Sequence, residues 1–298
     1  MPRPAQPDDL ARFRIPTDPR LSPDGRSVVF TLQTVAPRQD GYRHALWLVP
    51  TDGSAPARQL TIGAKHDRQG RFSPDGRTLA FLSDRRLLVE EATGGGTGGQ
   101  AGGGGGSADE AKERGDATQV YLLPLDGGEA RRLTDLPRGV EAFEWSPDGR
   151  FLVVVSVSRG ATREEEARLR GRRDGGTTAE AGAKEPKPRP DFRYIDRLGY
   201  QYNGVGFIDD RETHLWLVDV ETGRARRLTD GPGPESSPAW SPDGRRIAFV
   251  ANRRPNRDIV WRSDVWVVEV EGGRQVRITG GEGAFEAPTW LPDGETLA

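Results

Sequence analysis

The sequence has no cysteine and a single methionine in 298 residues. Without cysteine there is no disulfide framework, no zinc ribbon and no cysteine nucleophile. Net charge is also scarce. Forty-three Lys and Arg against 45 Asp and Glu leave −2, which removes the electrostatic case for nucleic acid or an anionic membrane as a partner. No apolar run approaches the ~20 residues of a membrane-spanning helix. The opening MPRPAQPDDL lacks the apolar core of a signal peptide, so the expectation is a soluble, cytoplasmic protein. Hydrophobic residues make up 34% against 30% charged, enough for a core but a lean one. Glycine (39) and proline (23) are plentiful, and they crowd at turns, which points to many short strands rather than long helices.

An internal repeat decides the fold class. Ser-Pro-Asp-Gly stands at Ser22–Gly25, Ser73–Gly76, Ser146–Gly149 and Ser241–Gly244, and a fifth copy, Leu291–Gly294, opens with Leu. Successive prolines are 51, 73, 95 and 50 residues apart, a period near fifty with two insertions. The flanks repeat in the same order. An aromatic or Leu precedes the turn (Leu21, Phe72, Trp145, Trp240, Trp290), and a short apolar strand such as Leu79-Ala80-Phe81 follows it. A second strand carries an aromatic (Trp47, Tyr121, Trp216, Trp266) and ends in an acidic or Gly-rich turn. Next come Gln59-Leu60-Thr61, Arg132-Leu133-Thr134, Arg227-Leu228-Thr229 and Arg277-Ile278-Thr279.

Each unit reads as four short antiparallel strands, the blade of a β-propeller. Pro presets φ at the second turn position and Gly takes the left-handed fourth position. The predicted fold is all-β: four blades plus the start of a fifth, broken off in that blade's second strand. Residues 1–17 are an N-terminal extension with a short helix from Asp8 to Phe13, capped by Asp8 or Asp9. Residues 18–298 form the incomplete propeller, with insertions at about 87–116 and 159–211. Both insertions fall between the second and third strands of a blade, so irregular chain collects on one face, where function usually concentrates. The first contains a glycine linker, Gly94 to Gly106. The second is charged and then proline-rich, and ends in the aromatic stretches Phe192-Arg193-Tyr194 and Leu198 to Gly204, expected to be ordered.

Motifs for chemistry are few. No Gly-x-Ser-x-Gly, Gly-x-x-x-x-Gly-Lys-[Ser/Thr] or His-Glu-x-x-His occurs. Gly204-Val205-Gly206 begins like a dinucleotide loop but meets Asp209 at the third glycine position. His44, His66 and His214 have no serine placed beside them by a motif and read as structural. Asp24, Asp75, Asp148, Asp243 and Asp293 occupy the same turn position in separate blades, which favours turn structure over a metal or acid–base site. The third-strand aromatics read as packing between blades. The residues therefore imply no catalytic group, no metal and no cofactor. One group is a candidate for substrate screening: Arg85, Arg159, Arg253 and Arg254 stand where second strands end on the loop-rich face. Guanidiniums converging there could hold a substrate carboxylate bidentately; the simpler alternative is pairing with a neighbouring Asp or carbonyl within the blade.

The in-phase Trp-Ser-Pro-Asp-Gly-Arg-Arg-Ile-Ala-Phe, Asp-Val-Trp-Val-Val and Arg-Arg-Leu-Thr-Asp resemble the TolB-like propeller repeat. Asp18-Pro19-Arg20-Leu21-Ser22-Pro23-Asp24-Gly25 resembles the opening of prolyl oligopeptidase family serine peptidases of the acylaminoacyl-peptidase-like branch. Gly206-Phe207-Ile208-Asp209-Asp210-Arg211, leading into His214-Leu215-Trp216, adds to that likeness. The resemblance implies a propeller of seven blades in the parent, which admits peptides rather than folded proteins to an α/β-hydrolase domain with a Ser-Asp-His triad. No position here matches a triad residue, so it implies that the chain lacks the hydrolase domain and is inactive by itself. The implied partners are peptide substrates and that missing domain, and a homo-oligomer of the parent is left open. The alternatives are a non-catalytic TolB-like scaffold, which would need a signal peptide, and a cytoplasmic interaction module.

Overall fold

The computed structural model describes residues 6–36, 41–63, 66–85, 117–159, 195, 197–202, 206–208, 211–281 and 283–298. The glycine linker, Phe192-Arg193-Tyr194 and most of the second insertion lie outside the described residues. The first sheet joins β1 (Arg14–Leu21), β2 (Ser27–Val35), β3 (Tyr42–Pro50) and β4 (Arg58–Gln59). The second joins β5 (Arg68–Phe72), β6 (Thr78–Ser83), β7 (Gln119–Pro124) and β8 (Arg131–Arg132). In the third, β9 (Ala142–Trp145) and β10 (Phe151–Arg159) precede a small hairpin, β11 (Gln201–Tyr202) and β12 (Gly206–Phe207), before β13 (Arg211–Asp219) and β14 (Ala225–Arg227) complete the sheet. The fourth is β15 (Glu235–Trp240), β16 (Arg246–Ala251), β17 (Asp264–Glu269) and β18 (Gln275–Arg277). A bridge between Trp290 and Leu297 begins a fifth. All four sheets are antiparallel and meander in chain order, as the repeat requires.

Three details differ from the sequence reading. The first blade begins at Arg14 rather than at 18. Arg159 and Arg211 pair as the last rung of β10 and β13, so the second insertion lies between them and not across them. The N-terminal helix is a 3-10 turn, Pro7–Arg12, whose cap is Gln6. The Gln6 N–H donates to the Asp9 carboxylate at 2.9 Å, so Asp9 reaches back to the cap instead of being it.

The conserved-looking turn letters each have a bond to make. In the first four copies the serine hydroxyl donates to the aspartate at 2.5–2.6 Å. The same aspartate oxygen accepts the N–H two residues on, and the serine oxygen accepts the N–H that opens the next strand. These bonds hold Asp24, Asp75 and Asp243 below the usual carboxylate range, the serine bond first and the backbone N–H next. Leu291 has no hydroxyl, and Asp293 turns instead to Thr296 Oγ1 at 2.7 Å and two N–H groups. The threonine of each Leu/Ile-Thr pair has an equally local task. Thr61, Thr134, Thr229 and Thr279 accept the N–H of Leu46, Val120, Leu215 and Val265 at 2.9–3.1 Å, where the ladder to the outermost strand has ended.

Packing runs from blade to blade. On β6, Leu79 and Phe81 face back to Val29 and Leu46, while Ala80 and Leu82 face forward to Phe143, Leu152 and Val154. On β10, Val153 and Val155 face Ile247 and Phe249 of the fourth blade. A second strand is therefore buried on both faces, and its sequence is a continuous apolar run rather than an alternating one. Burying each such Leu, Val or Phe stabilises the stack by about 1.5–3 kcal/mol. The tryptophan before each turn adds a bond across the joint. Trp145, Trp240 and Trp290 donate their indole N–H to Arg71, Glu144 and Ala239 carbonyls of the preceding blade at 3.1–3.3 Å. Trp216 and Trp266 pack against these inter-blade cores.

Candidate functional site

The first strands of successive blades touch one another in the order β1, β5, β9, β15 and so lie innermost. They line a cavity of about 380 Å³ along the propeller axis. Each of β1, β5 and β15 is broken there by a bulge. The residue at the break is left-handed although it is not glycine: Asp18 (φ 51), Gln69 (φ 56) and Ser237 (φ 50). Ala287 (φ 48) holds the same repeat position in the fifth unit, four residues before the turn. In the third blade, Ala142 at that position keeps the regular ladder.

The bulges turn charged side chains into the channel. Arg71 donates to Asp18 at 2.7 Å, tying the second blade to the first, and Arg20 donates to the other Asp18 oxygen at 3.2 Å. Glu144 faces this pair from β9. Burial pushes its carboxyl up, and the Arg71 and Arg20 charges oppose that rise. Burial first, then the neighbouring His66 and Arg68 charges, push His44 down, so its imidazole is neutral at pH 7. None of the four screening arginines lies in this lining.

Three of those arginines, Arg85, Arg253 and Arg254, are engaged within the blades. Arg85 donates to buried Asp67 at 2.8 Å and lies 5.1 and 5.2 Å over the Phe81 and Tyr121 rings. Arg253 donates to fully buried Glu235 and to Gln275, both at 2.5 Å, and covers Trp266 at 4.4 Å. Arg254 pairs with Asp264 at 2.9 Å and donates to the Gly281 carbonyl at 3.0 Å. Arg159 ends β10, and its side chain lies outside the described residues. Arg253 and Arg254 are adjacent in sequence yet serve different acids. A substrate carboxylate would compete with Asp67, Glu235 or Asp264 for these three guanidiniums.

Sequence reasoning missed these acids, although a signal existed. Asp67 and Glu235 each stand six residues before the turn serine of their blade, and Arg85 and Arg253 each stand twelve after it. The first and third blades have neither member of the pair: Pro16 with Thr34, and Val140 with Ser158. Glu212 was also missed. It is buried, accepts Arg197 at 3.1 Å, Arg257 at 3.0 Å and the Gly233 N–H at 2.8 Å, and so knots three separate loops. The histidines are engaged locally. His66 pairs with Asp84 at 2.7 Å. Buried His214 lies between the Ser158 hydroxyl at 2.8 Å and the Gly231 carbonyl at 3.0 Å. The Glu212 carbonyl also faces Nδ1, at 3.2 Å. Among the described residues no His, Asp and Glu cluster is arranged to hold a metal ion, and no helix is long and apolar enough to cross a membrane.

Residues 209–298 match the family described as the dipeptidyl peptidase IV (DPP IV) N-terminal region. Over 261 residues, 87% of its length, the chain is 32% identical to an uncharacterized peptidase, YuxL, of Bacillus subtilis, and covers 33% of that protein. Among solved structures, acylaminoacyl peptidase of Pyrococcus horikoshii matches over 96% of this chain and 35% of its own, with a TM-score of 0.60 at 16% identity. TolB from Acinetobacter baumannii matches over 91% of this chain and 45% of its own, with a TM-score of 0.50 at 18% identity. The chain thus spans about a third of the length of the peptidases it resembles, and no catalytic domain is present among the described residues. The four blades form a β-propeller similar in fold to that of acylaminoacyl peptidase and, over residues 209–298, to the dipeptidyl peptidase IV N-terminal region.

Proposed function

We propose that these blades are the substrate-screening portion of a longer, cytoplasmic serine peptidase of acylaminoacyl-peptidase or oligopeptidase type, acting on short peptides. In this reading the chain alone is inactive, and acyl transfer through a serine nucleophile, a histidine base and an oxyanion hole belongs to a domain outside it. The observation that carries the reading is the 32% identity to a peptidase over 87% of the chain. An axial cavity lined by charged, strained positions supports passage or retention of something small. Division into a short extension ahead of β1 and a propeller running to residue 298 is part of the same proposal.

Arg85, Arg159, Arg253 and Arg254 stay in the reading as groups beside the path of a peptide on the loop face. Arg159→Ala in the longer protein tests them, since Arg85, Arg253 and Arg254 each already hold a buried acid. An unchanged substrate preference removes the arginines from the reading. The coding sequence that follows codon 298 tests the whole proposal. A Gly-x-Ser-x-Gly within roughly the next few hundred codons supports the peptidase. A stop soon after the remaining blades turns the protein into a TolB-like scaffold instead.

A further inference from the structure

Three unusual features of the molecule fall in one place. The first is strain. Among the described residues four non-glycine positions have φ between 48° and 56°, and three of them, Asp18, Gln69 and Ser237, line the axial cavity. Left-handed backbone in ordinary residues costs roughly 1–3 kcal/mol and persists where surrounding structure enforces it, commonly at ligand sites. The second is incomplete hydrogen bonding. Buried polar atoms are normally paired. Among the described residues seven buried side-chain N or O atoms have no partner, and three of these belong to this lining: Thr31 Oγ1, His44 Nδ1 and Arg71 Nε. Thr31 is 2% exposed. The third is a spare cation. Arg68 faces the cavity, is exposed, and makes no hydrogen bond or ion pair with a described residue, although its charge acts on Glu141 and His44, whereas Arg71 beside it is committed to Asp18.

We propose that the axial cavity is a carboxylate site, in which Arg68 receives the C-terminal carboxylate of a short peptide. The charge of the lining selects the ligand. Arg68 offers a planar, bidentate donor suited to a carboxylate, while Asp18 and Glu144 nearby disfavour a doubly charged group such as a phosphate monoester. His44 is neutral and adds no further positive charge. The volume, about 380 Å³, falls in the range of small-ligand sites and holds the end of a peptide rather than a folded chain. The inference rests on the peptide-screening reading above and names which end of the peptide the propeller holds.

The test is calorimetric titration of the longer polypeptide that carries these residues, incubated first with a fluorophosphonate, with N-acetyl-Ala-Ala-Phe as free acid and as C-terminal amide. The free acid is expected to bind roughly ten- to a hundredfold more tightly, the size of one charge-assisted hydrogen-bonded pair. Arg68→Gln should remove the difference and Arg68→Lys should keep part of it; Arg68 is exposed, and circular dichroism checks that both variants fold. Equal binding of acid and amide overturns the carboxylate site while leaving peptide screening in place. An acid preference that survives in Arg68→Gln overturns the role of Arg68. Absence of saturable binding by either peptide overturns the site altogether. Acetate displacing the peptide at comparable concentration overturns the assignment to a peptide terminus.

Discussion

The two faces of the propeller are built on different principles. On the turn face every blade solves the same problem in the same way. A serine, an aspartate and a left-handed glycine close the first hairpin, and each bond stays within about five residues. On the loop face each solution is used once or twice and joins residues far apart in sequence, as when Glu212 gathers Arg197, Arg257 and Gly233. The turn face repeats because its bonds are local and end on exposed aspartates, so loss of one is tolerable. The loop face buries charge, and a buried carboxylate requires all of its partners at once.

That contrast orders the expected effects of mutation. Glu235→Ala should be the most damaging single change, because it strands Arg253 and leaves Thr229 and the Leu215 N–H short of an acceptor. A loss of about 3–5 kcal/mol is expected in urea unfolding. A loss below 1 kcal/mol would erase the distinction between the faces. Gly233→Ala comes next. Gly233 has φ +86, and a Cβ there would stand 2.3 Å from the Asn252 carbonyl oxygen, so strain and collision add; roughly 2–3 kcal/mol is expected. Gly25→Ala on the turn face meets the same backbone penalty at φ +72 but has open space around it, and should cost only about 1 kcal/mol. The two glycine variants, measured side by side by thermal unfolding, isolate packing from conformation.

Ser146→Ala should cost about 1 kcal/mol, since it removes one donor to Asp148 and one acceptor for the Phe151 N–H at an accessible turn. The smallest effect is one of pH. The depressed carboxyls of Asp24, Asp75 and Asp243 contribute stability that is present above the ordinary aspartate value and is lost as pH falls through their lower, folded values. Ser73→Ala removes the main cause of depression at Asp75, so the stability that Asp75 loses on acidification should shrink and the acid limb should be shallower than in the parent chain. An unchanged acid limb in a pH series of unfolding midpoints would detach the serine from the aspartate.

The same contrast explains how much was legible in the sequence. Five turns and four Leu/Ile-Thr pairs in phase were enough to place all sixteen blade strands, because local bonds leave local letters. The small hairpin of Gln201–Phe207 carried no such letters, and its aromatic neighbourhood announced order without announcing strands. The axial site was hidden for a geometric reason. Asp18, Gln69, Arg71 and Glu144 come together only when three first strands meet around the axis, and nothing within fifty residues records that meeting. The acid partners of Arg85 and Arg253 were half visible, since acid and arginine appear together in the second and fourth blades and vanish together in the first and third. Aligning the repeats against one another, rather than scanning for known motifs, reads such pairs.

The central claim is that these blades screen substrate for a serine peptidase whose chemistry lies elsewhere in the polypeptide. Labelling with a fluorophosphonate probe tests it directly, with the polypeptide that carries these residues in the organism set beside the 298-residue chain alone. The account predicts covalent labelling of the longer polypeptide at a serine outside residues 1–298 and none of the shorter chain. Labelling within residues 1–298, or a longer polypeptide that takes no label, contradicts it.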